Sequence, residues 1–404
     1  MIFPKKPKIV VIGTGYVGLP AALMWAKSGL TVVGVDINEN IVKAINDRTL
    51  LLNEKELDEL LHDTSVKQNL QASTTPVDGD IFVIAVPTPV HHLKKVADLS
   101  YVRDALKSIA PKLKKGNLII IESTIPPLTT KDFAKNLIEE LTDFKVPADI
   151  FLAHCPERIL PGDIFKEIIW NDRLIGGVDE ASGDYAEYAY SFFVKGNLFK
   201  TSDTVAELSK LMENTYRDVN IALANEFAMI CENLEVDVKE VVNFANKHPR
   251  VNILNPGIGV GGHCIPIDPW FLKEVAPYNS RLISIARIIN DEMPSKIAGK
   301  IRTAVNKITD PRIVTLGATY KRNCEDIRES PAMHIIEELK RDGYKVIAFD
   351  PLVKSMQYKN LATVIKDADL VVILVNHDII AAEINSLTNS KEGNKIPTIL
   401  NFDK

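Results

Sequence analysis

The chain has 404 residues, 46% of them hydrophobic and 25% charged, with a formal net charge of -5. That length exceeds what one ordinary core serves and suggests two or three domains. The mild acidic balance without a strongly basic patch argues against nucleic acid as a partner, and no apolar run reaches the roughly 18 residues a membrane-crossing helix needs.

The first residues run straight into an apolar strand and leave no room for a signal peptide. Four cysteines, Cys155, Cys231, Cys264 and Cys324, are scattered without C-x-x-C spacing, so neither a disulfide framework nor a metal site is indicated. Free thiols in a reducing, cytoplasmic compartment are the simplest expectation. Residues 8–12 read as a buried strand, followed by Gly13-Thr14-Gly15-Tyr16-Val17-Gly18 and a helical stretch over 19–27. This is G-x-G-x-x-G in the context it requires, with a phosphate-binding helix N-terminus after the turn. A second strand over 31–35 ends at Asp36, placed to accept hydrogen bonds from a ribose diol and to repel a 2′-phosphate. NAD is therefore expected rather than NADP.

Strands and helices continue to alternate. Residues 81–86 lead into Thr88, 118–121 into Glu122-Ser123-Thr124, and 150–152 into Cys155-Pro156-Glu157-Arg158, with a further strand over 173–177. Such alternation predicts a parallel sheet with ligands at the carboxyl ends of its strands, where Thr88, Thr124 and Glu157 all lie. From Asp203 a helix is expected to about residue 234, some 45 Å long, a length suited to linking domains or forming a subunit interface. Lys210, Asn214 and Arg217 share one face of it. Their plainest reading is a solvated stripe, yet an asparagine there is a poor helix former that gains nothing from exposure.

The segment Gly259-Val260-Gly261-Gly262-His263-Cys264-Ile265-Pro266-Ile267-Asp268 sets a thiol on a tight, open backbone. A purely structural cysteine would more often sit within an apolar strand or helix. A helix near 279–308 precedes a second α/β unit with strands over 312–318, 345–350, 370–375 and 398–402. Asp350 follows its strand as Asp36 does, but Gly317-Ala318-Thr319-Tyr320-Lys321 lacks the later fingerprint glycines, so a nucleotide is expected there rather than a dinucleotide.

In this order the motifs E-S-T-I-P-P, C-P-E-R-I-L-P-G, K-L-M-E-N-T-Y-R-D-V-N-I-A-L-A-N-E, H-P-R-V-N, G-V-G-G-H-C-I-P-I-D-P-W and K-R-N-C-E-D-I-R-E-S-P resemble the UDP-glucose/GDP-mannose dehydrogenase family along essentially the whole chain. The resemblance implies two Rossmann-like, doubly wound parallel-sheet α/β domains joined by a long central helix. Its boundaries would be an NAD-binding domain over 1–202, a helical dimerisation and catalytic-cysteine region over 203–308, and a UDP-sugar-binding domain over 309–404. His263 before the cysteine, Ile267 where a lysine would stand, and Glu157-Arg158-Ile159-Leu160-Pro161-Gly162 are similar to the branch acting on N-acetylated sugars. The implied reaction is the four-electron, NAD-dependent oxidation of UDP-N-acetyl-D-mannosamine to its uronate, with UDP-N-acetyl-D-glucosamine as the alternative substrate. A NAD-sensing protein without catalysis is disfavoured because thiol, lysine, asparagine and aspartate are all present.

The same resemblance implies residue roles. Cys264 would capture the intermediate aldehyde as a thiohemiacetal and then a thioester. Lys210 and Asn214, which also face the substrate, would stabilise developing oxyanions, Asp268 would orient Lys210 or a water, and Thr124 with Glu157 would position and deprotonate the hydrolytic water. Arg158 and Ile159 would touch the sugar; Arg217, His248 and Arg250 would add donors, Arg250 reaching into a neighbouring subunit. The stretch 255–261, including Gly261, would line the uridine diphosphate and Lys321 would close over it. Gly13, Gly15, Tyr16, Val17, Gly18, Asp36, Thr88, Thr124 and Arg328 would hold NAD. A homodimer or dimer of dimers is expected.

Overall fold

The computed structural model describes residues 3–49, 55–91, 94–158, 164–358, 360–389 and 397–403. The expected Ile159 lies outside the described residues. The chain divides into two compact units: Met1–Glu213 with Trp270–Ala276, and Asn214–Pro269 with Pro277–Lys404.

The first unit is built on an eight-stranded sheet: β1 (Ile9–Ile12), β2 (Val32–Val35), β3 (Leu70–Ser73), β4 (Ile81–Ile84), β5 (Leu118–Ile121), β6 (Phe151–His154), β7 (Arg173–Gly177) and β8 (Leu198–Ser202). Their order is β3-β2-β1-β4-β5-β6-β7-β8. Strand periodicity, with both faces covered, explains why β1, β4 and β5 are apolar at every position. Ile9 and Val11 pack with Leu23 and Trp25 on one face, whereas Val10 and Ile12 pack with Leu106 and Ile109 on the other. A sheet covered on both faces has no polar side, which is the doubly wound arrangement. The order reverses beside β1, at the crevice where open α/β sheets bind ligands.

Two strands, β7 and β8, depart from the expected parallel sheet. β7 runs antiparallel to β6, pairing Ala153 with Gly177 and His154 with Gly176, and β8 then runs parallel to β7. Strand direction is set by how the connection returns the chain, and the connection here, residues 155–172, brings it back to start β7 at the end where β6 finishes.

The long helix spans Asp203–Asn233, within a residue of expectation. Its residues to Glu213 belong to the first unit and those from Asn214 to the second. In the second unit the helix Arg281–Val305 carries Pro294 and packs Ile297, Ala298 and Ile301 into a core with Ile335, Ile336 and Leu339 of the helix Pro331–Arg341. Beside them lies an all-parallel sheet of β9 (Arg312–Leu316), β10 (Lys345–Phe349), β11 (Leu370–Ile373) and β12 (Thr398–Asn401), ordered β10-β9-β11-β12. Val314 and Leu316 fill its opposite face with Leu361 and Ile380. Both units are therefore α/β, and the predicted fold class stands apart from β7 and β8.

Candidate active site

In the first unit the turn after β1 is shaped by sterics. A Cβ on Gly18 would lie 1.9 Å from the Gly13 carbonyl oxygen, and Gly13 itself has φ of +89°. Neither position admits another residue without moving the backbone. Gly15 differs: among the described residues, no protein atom lies within 4 Å of where its Cβ would be. The fold does not demand glycine there, so the demand fits a ligand that approaches the backbone. The helix Gly18–Lys27 begins with no side-chain cap and no acid in its first turn, which leaves its first N–H groups and positive dipole end to an anion. These features fit the pyrophosphate of NAD.

Tyr16 is partly exposed and Val17 half-buried beside it. Asp36 sits beyond β2, where its Oδ2 accepts hydrogen bonds from Thr14 N (3.0 Å) and Thr14 Oγ1 (3.1 Å) and its Oδ1 accepts one from Asn38 N. The carboxylate thus braces the glycine turn, a role the sequence reading did not include. The loops after β4 and β5 are tied together. Thr88 Oγ1 donates to the Thr124 carbonyl at 2.6 Å, and Ser123 Oγ accepts from Val86 N and donates to Val86 O. Thr88 and Thr124 are therefore neighbours, as their strand-end positions suggested.

Beyond β6, Glu157 Oε1 accepts from the Arg158 amide at 2.7 Å, and Glu157 Oε2 is ion-paired with Arg173. Arg173 also donates to Glu122, and Tyr190 hydroxyl donates to the same Glu122 oxygen at 2.5 Å. Burial pushes the Glu122 carboxyl up to about 7, with the nearby Arg173 charge opposing it. This cluster was absent from the sequence expectations. Arg158 turns to Glu213, 3.1 Å away. Half-buried Lys210 lies near fully buried His154, whose imidazole is held down at about 3, chiefly by burial.

In the second unit, Asp268 is buried and its Oδ2 accepts from Asn214 Nδ2 at 2.6 Å. Its amide and that of Ile267 donate to the Cys264 carbonyl, closing the turn that opens the helix Asp268–Val275. Cys264 is exposed, and its sulfur lies 3.1 Å from His263 Nδ1. Burial, then the charge of Arg328, lowers the His263 pKa, so a neutral imidazole able to accept from the thiol is favoured. His263 stands out in the sequence beside the cysteine, but this contact is visible only in the structure. Gly261 lies against the Glu329 backbone and Tyr320. Arg328 pairs with Asp326 at 2.6 Å. Arg217, His248, Arg250 and Lys321 are exposed, with the Arg250 amide donating to His248 Nδ1. Among the described residues, no cluster of acids, histidines and cysteines could hold a metal ion, and no helix is long and apolar enough to cross a membrane.

Several known proteins are similar to most of the chain. The UDP-N-acetyl-D-mannosamine dehydrogenase of Methanocaldococcus jannaschii is 48% identical over 375 residues, covering 92% of this chain and 86% of that protein. An NDP-N-acetyl-D-galactosaminuronic acid dehydrogenase of Ralstonia solanacearum is 41% identical over 383 residues, covering 91% and 90%. A solved structure of the UDP-D-ManNAc dehydrogenase from Pyrococcus horikoshii superposes with a TM-score of 0.90 at 40% identity, covering 98% of this chain and 99% of that one. Family models of the NAD binding domain, the central domain and the UDP binding domain match residues 7–194, 204–292 and 314–399. The chain belongs to the UDP-glucose/GDP-mannose dehydrogenase family and is an NAD-dependent UDP-sugar dehydrogenase.

Proposed function

We propose that this enzyme oxidises the C6 alcohol of UDP-N-acetyl-D-mannosamine to the carboxylate, through a covalent intermediate on Cys264. The observation that carries the covalent step is the exposed thiol, set between a neutral-favoured imidazole and the turn into buried Asp268. The sugar is supported by the 48% identical relative of that name. Alcohol and water go to carboxylate with loss of four electrons, so NAD, when bound, must accept a hydride in each of two oxidations.

After the first oxidation, the Cys264 thiolate adds to the C6 aldehyde. A carbon–sulfur bond forms, and the oxygen gains negative charge that the Lys210 ammonium and the Asn214 amide stabilise. Loss of the second hydride from C6 leaves a thioester. Glu157, with Thr124 orienting, takes a proton from water as its oxygen bonds to the acyl carbon; the thiolate then departs. Asp268 keeps Asn214 in position through their hydrogen bond. Arg158, Arg217, His248, Arg250, Gly261 and Lys321 are assigned to the sugar nucleotide, and Arg328 to the NAD phosphates. The discriminating experiment measures kcat/KM on a panel of UDP-glucose and the UDP-N-acetyl derivatives of mannosamine, glucosamine and galactosamine. UDP-N-acetyl-D-mannosamine should lead by at least about tenfold, the scale that contacts to one substituent can supply. A lead by another sugar would overturn the assignment.

A homodimer is part of this reading. Tyr216, Leu223 and Ile230 on the long helix are 57%, 41% and 52% exposed at seven-residue spacing, and Leu282, Ile285 and Ile288 add exposed apolar surface to the helix Arg281–Val305. Such stripes fit burial against a second copy.

Asp36→Ala should narrow the preference for NAD over NADP by roughly tenfold or more, because the carboxylate repels a 2′-phosphate. It should also raise the KM for NAD, since the brace on Thr14 is lost. The kcat/KM ratio for the two cofactors measures the first effect; equal use of both by the unmodified enzyme would refute the placement.

A further inference from the structure

The antiparallel pairing of β6 and β7 has a chemical consequence at the carboxyl end of the sheet. Extending its register, Ala153 to Gly177 and His154 to Gly176, brings position 173 opposite position 157. A parallel strand in the same place would start at the far end of the sheet. Here the first residue of β7, Arg173, starts where Glu157 leaves β6.

Arg173 is fixed from several sides. Its side chain is 4% exposed, and it is ion-paired with Glu157 through Nη2 and with Glu122 through Nη1 at 3.3 Å. Its guanidinium lies 4.3 Å over the Tyr190 ring. Tyr190 in turn donates to Glu122. A planar guanidinium with five donors can bridge two carboxylates while stacking on a ring, and a lysine ammonium cannot. Glu157 is therefore held at both oxygens, one by Arg173 and one by the Arg158 amide. Each oxygen keeps a lone pair for an incoming proton.

We propose that Arg173 is the positioning residue of the hydrolytic half-reaction: its guanidinium orients the Glu157 carboxylate to receive the proton of the water that attacks the thioester. This rests on the reading of Glu157 as the water-activating base. Burial raises the Glu122 carboxyl to about 7, so it competes for the arginine charge less than an ordinary carboxylate would.

The test compares Arg173→Met, Arg173→Lys and Glu157→Gln in the full-length enzyme with UDP-N-acetyl-D-mannosamine and NAD. Both oxidations precede hydrolysis, so a hydrolysis defect gives a rapid burst of two NADH per active site, then slow turnover. Intact-protein mass spectrometry should show the acyl group on Cys264. Arg173→Met should lower kcat at least about tenfold with a smaller change in KM, and should accumulate the acyl-enzyme. Arg173→Lys should recover part of the hydrolysis rate. If Glu157→Gln accumulates acyl-enzyme but a folded Arg173→Met does not, the positioning role is overturned and the base stands. If Glu157→Gln accumulates none, the base assignment fails and the proposal with it. Should Arg173→Met not fold, wild-type hydrolysis by Arg173→Lys would equally overturn the proposal.

Discussion

Cys264→Ser is expected to lose formation of the uronate by at least about a thousandfold in kcat, or about 4 kcal/mol of transition-state stabilisation. A serine hydroxyl is a far weaker nucleophile than a thiolate, and the His263 imidazole 3.1 Å from the sulfur cannot ionise it to a comparable extent. The first oxidation does not use the sulfur, so NADH formation should stop near one per sugar or stall at an acyl ester. Single-turnover absorbance at 340 nm with product analysis separates these outcomes. Turnover of the serine variant to the acid at the wild-type rate would remove Cys264 from the mechanism.

The largest expected loss of stability lies in the second unit. Asp218 and Arg287 are 0% and 1% exposed and paired at 2.5 Å; Asn290 joins them, donating to the Asp218 carboxylate and main-chain carbonyl. The chain of bonds continues: Asn225 donates to Asn290 and accepts from the Gly257 amide at 2.8 Å. Arg287→Met strands a buried carboxylate and should cost about 3–5 kcal/mol, lowering the melting temperature on the order of 10 °C. Burial already raises the Asp218 pKa above its ordinary value. Removing the cation makes protonation the remaining route to relief, so the penalty should be largest at neutral and alkaline pH and shrink in acid. Asp218→Asn in the same chain should recover much of the loss. A loss under about 1 kcal/mol at pH 8, by urea titration, would show that the pair is not the anchor described.

The central strands were legible because they are buried on both faces: Ile-Val-Val-Ile, Ile-Phe-Val-Ile and Leu-Val-Val-Ile leave no polar side to solvent. The edge strands of the first sheet were not. β3, Leu-Gln-Ala-Ser, and β8, Leu-Phe-Lys-Thr-Ser, pair on one side only and carry too few apolar residues to stand out. The reversal of β7 left no trace, since Arg-Leu-Ile-Gly-Gly would serve either direction. The glycine turn and Asp36 could be read because the chemistry requires fixed spacing within one strand-turn-helix-strand unit. Asn214 and Asp268 carried their residue types but not their partnership, which depends on a 2.6 Å approach across 54 positions. Glu122, Arg173 and Tyr190 come from three different elements, and only the sheet topology joins them.

The most direct measurement is the ratio of NADH formed to UDP-N-acetyl-D-mannosamine consumed by the unmodified enzyme, with the sugar limiting, NAD in excess and the product identified by mass. Two NADH for each sugar and a C6 carboxylate as the product are expected. One NADH per sugar with free aldehyde, or no NADH from this sugar under conditions where UDP-glucose is oxidised, would contradict this.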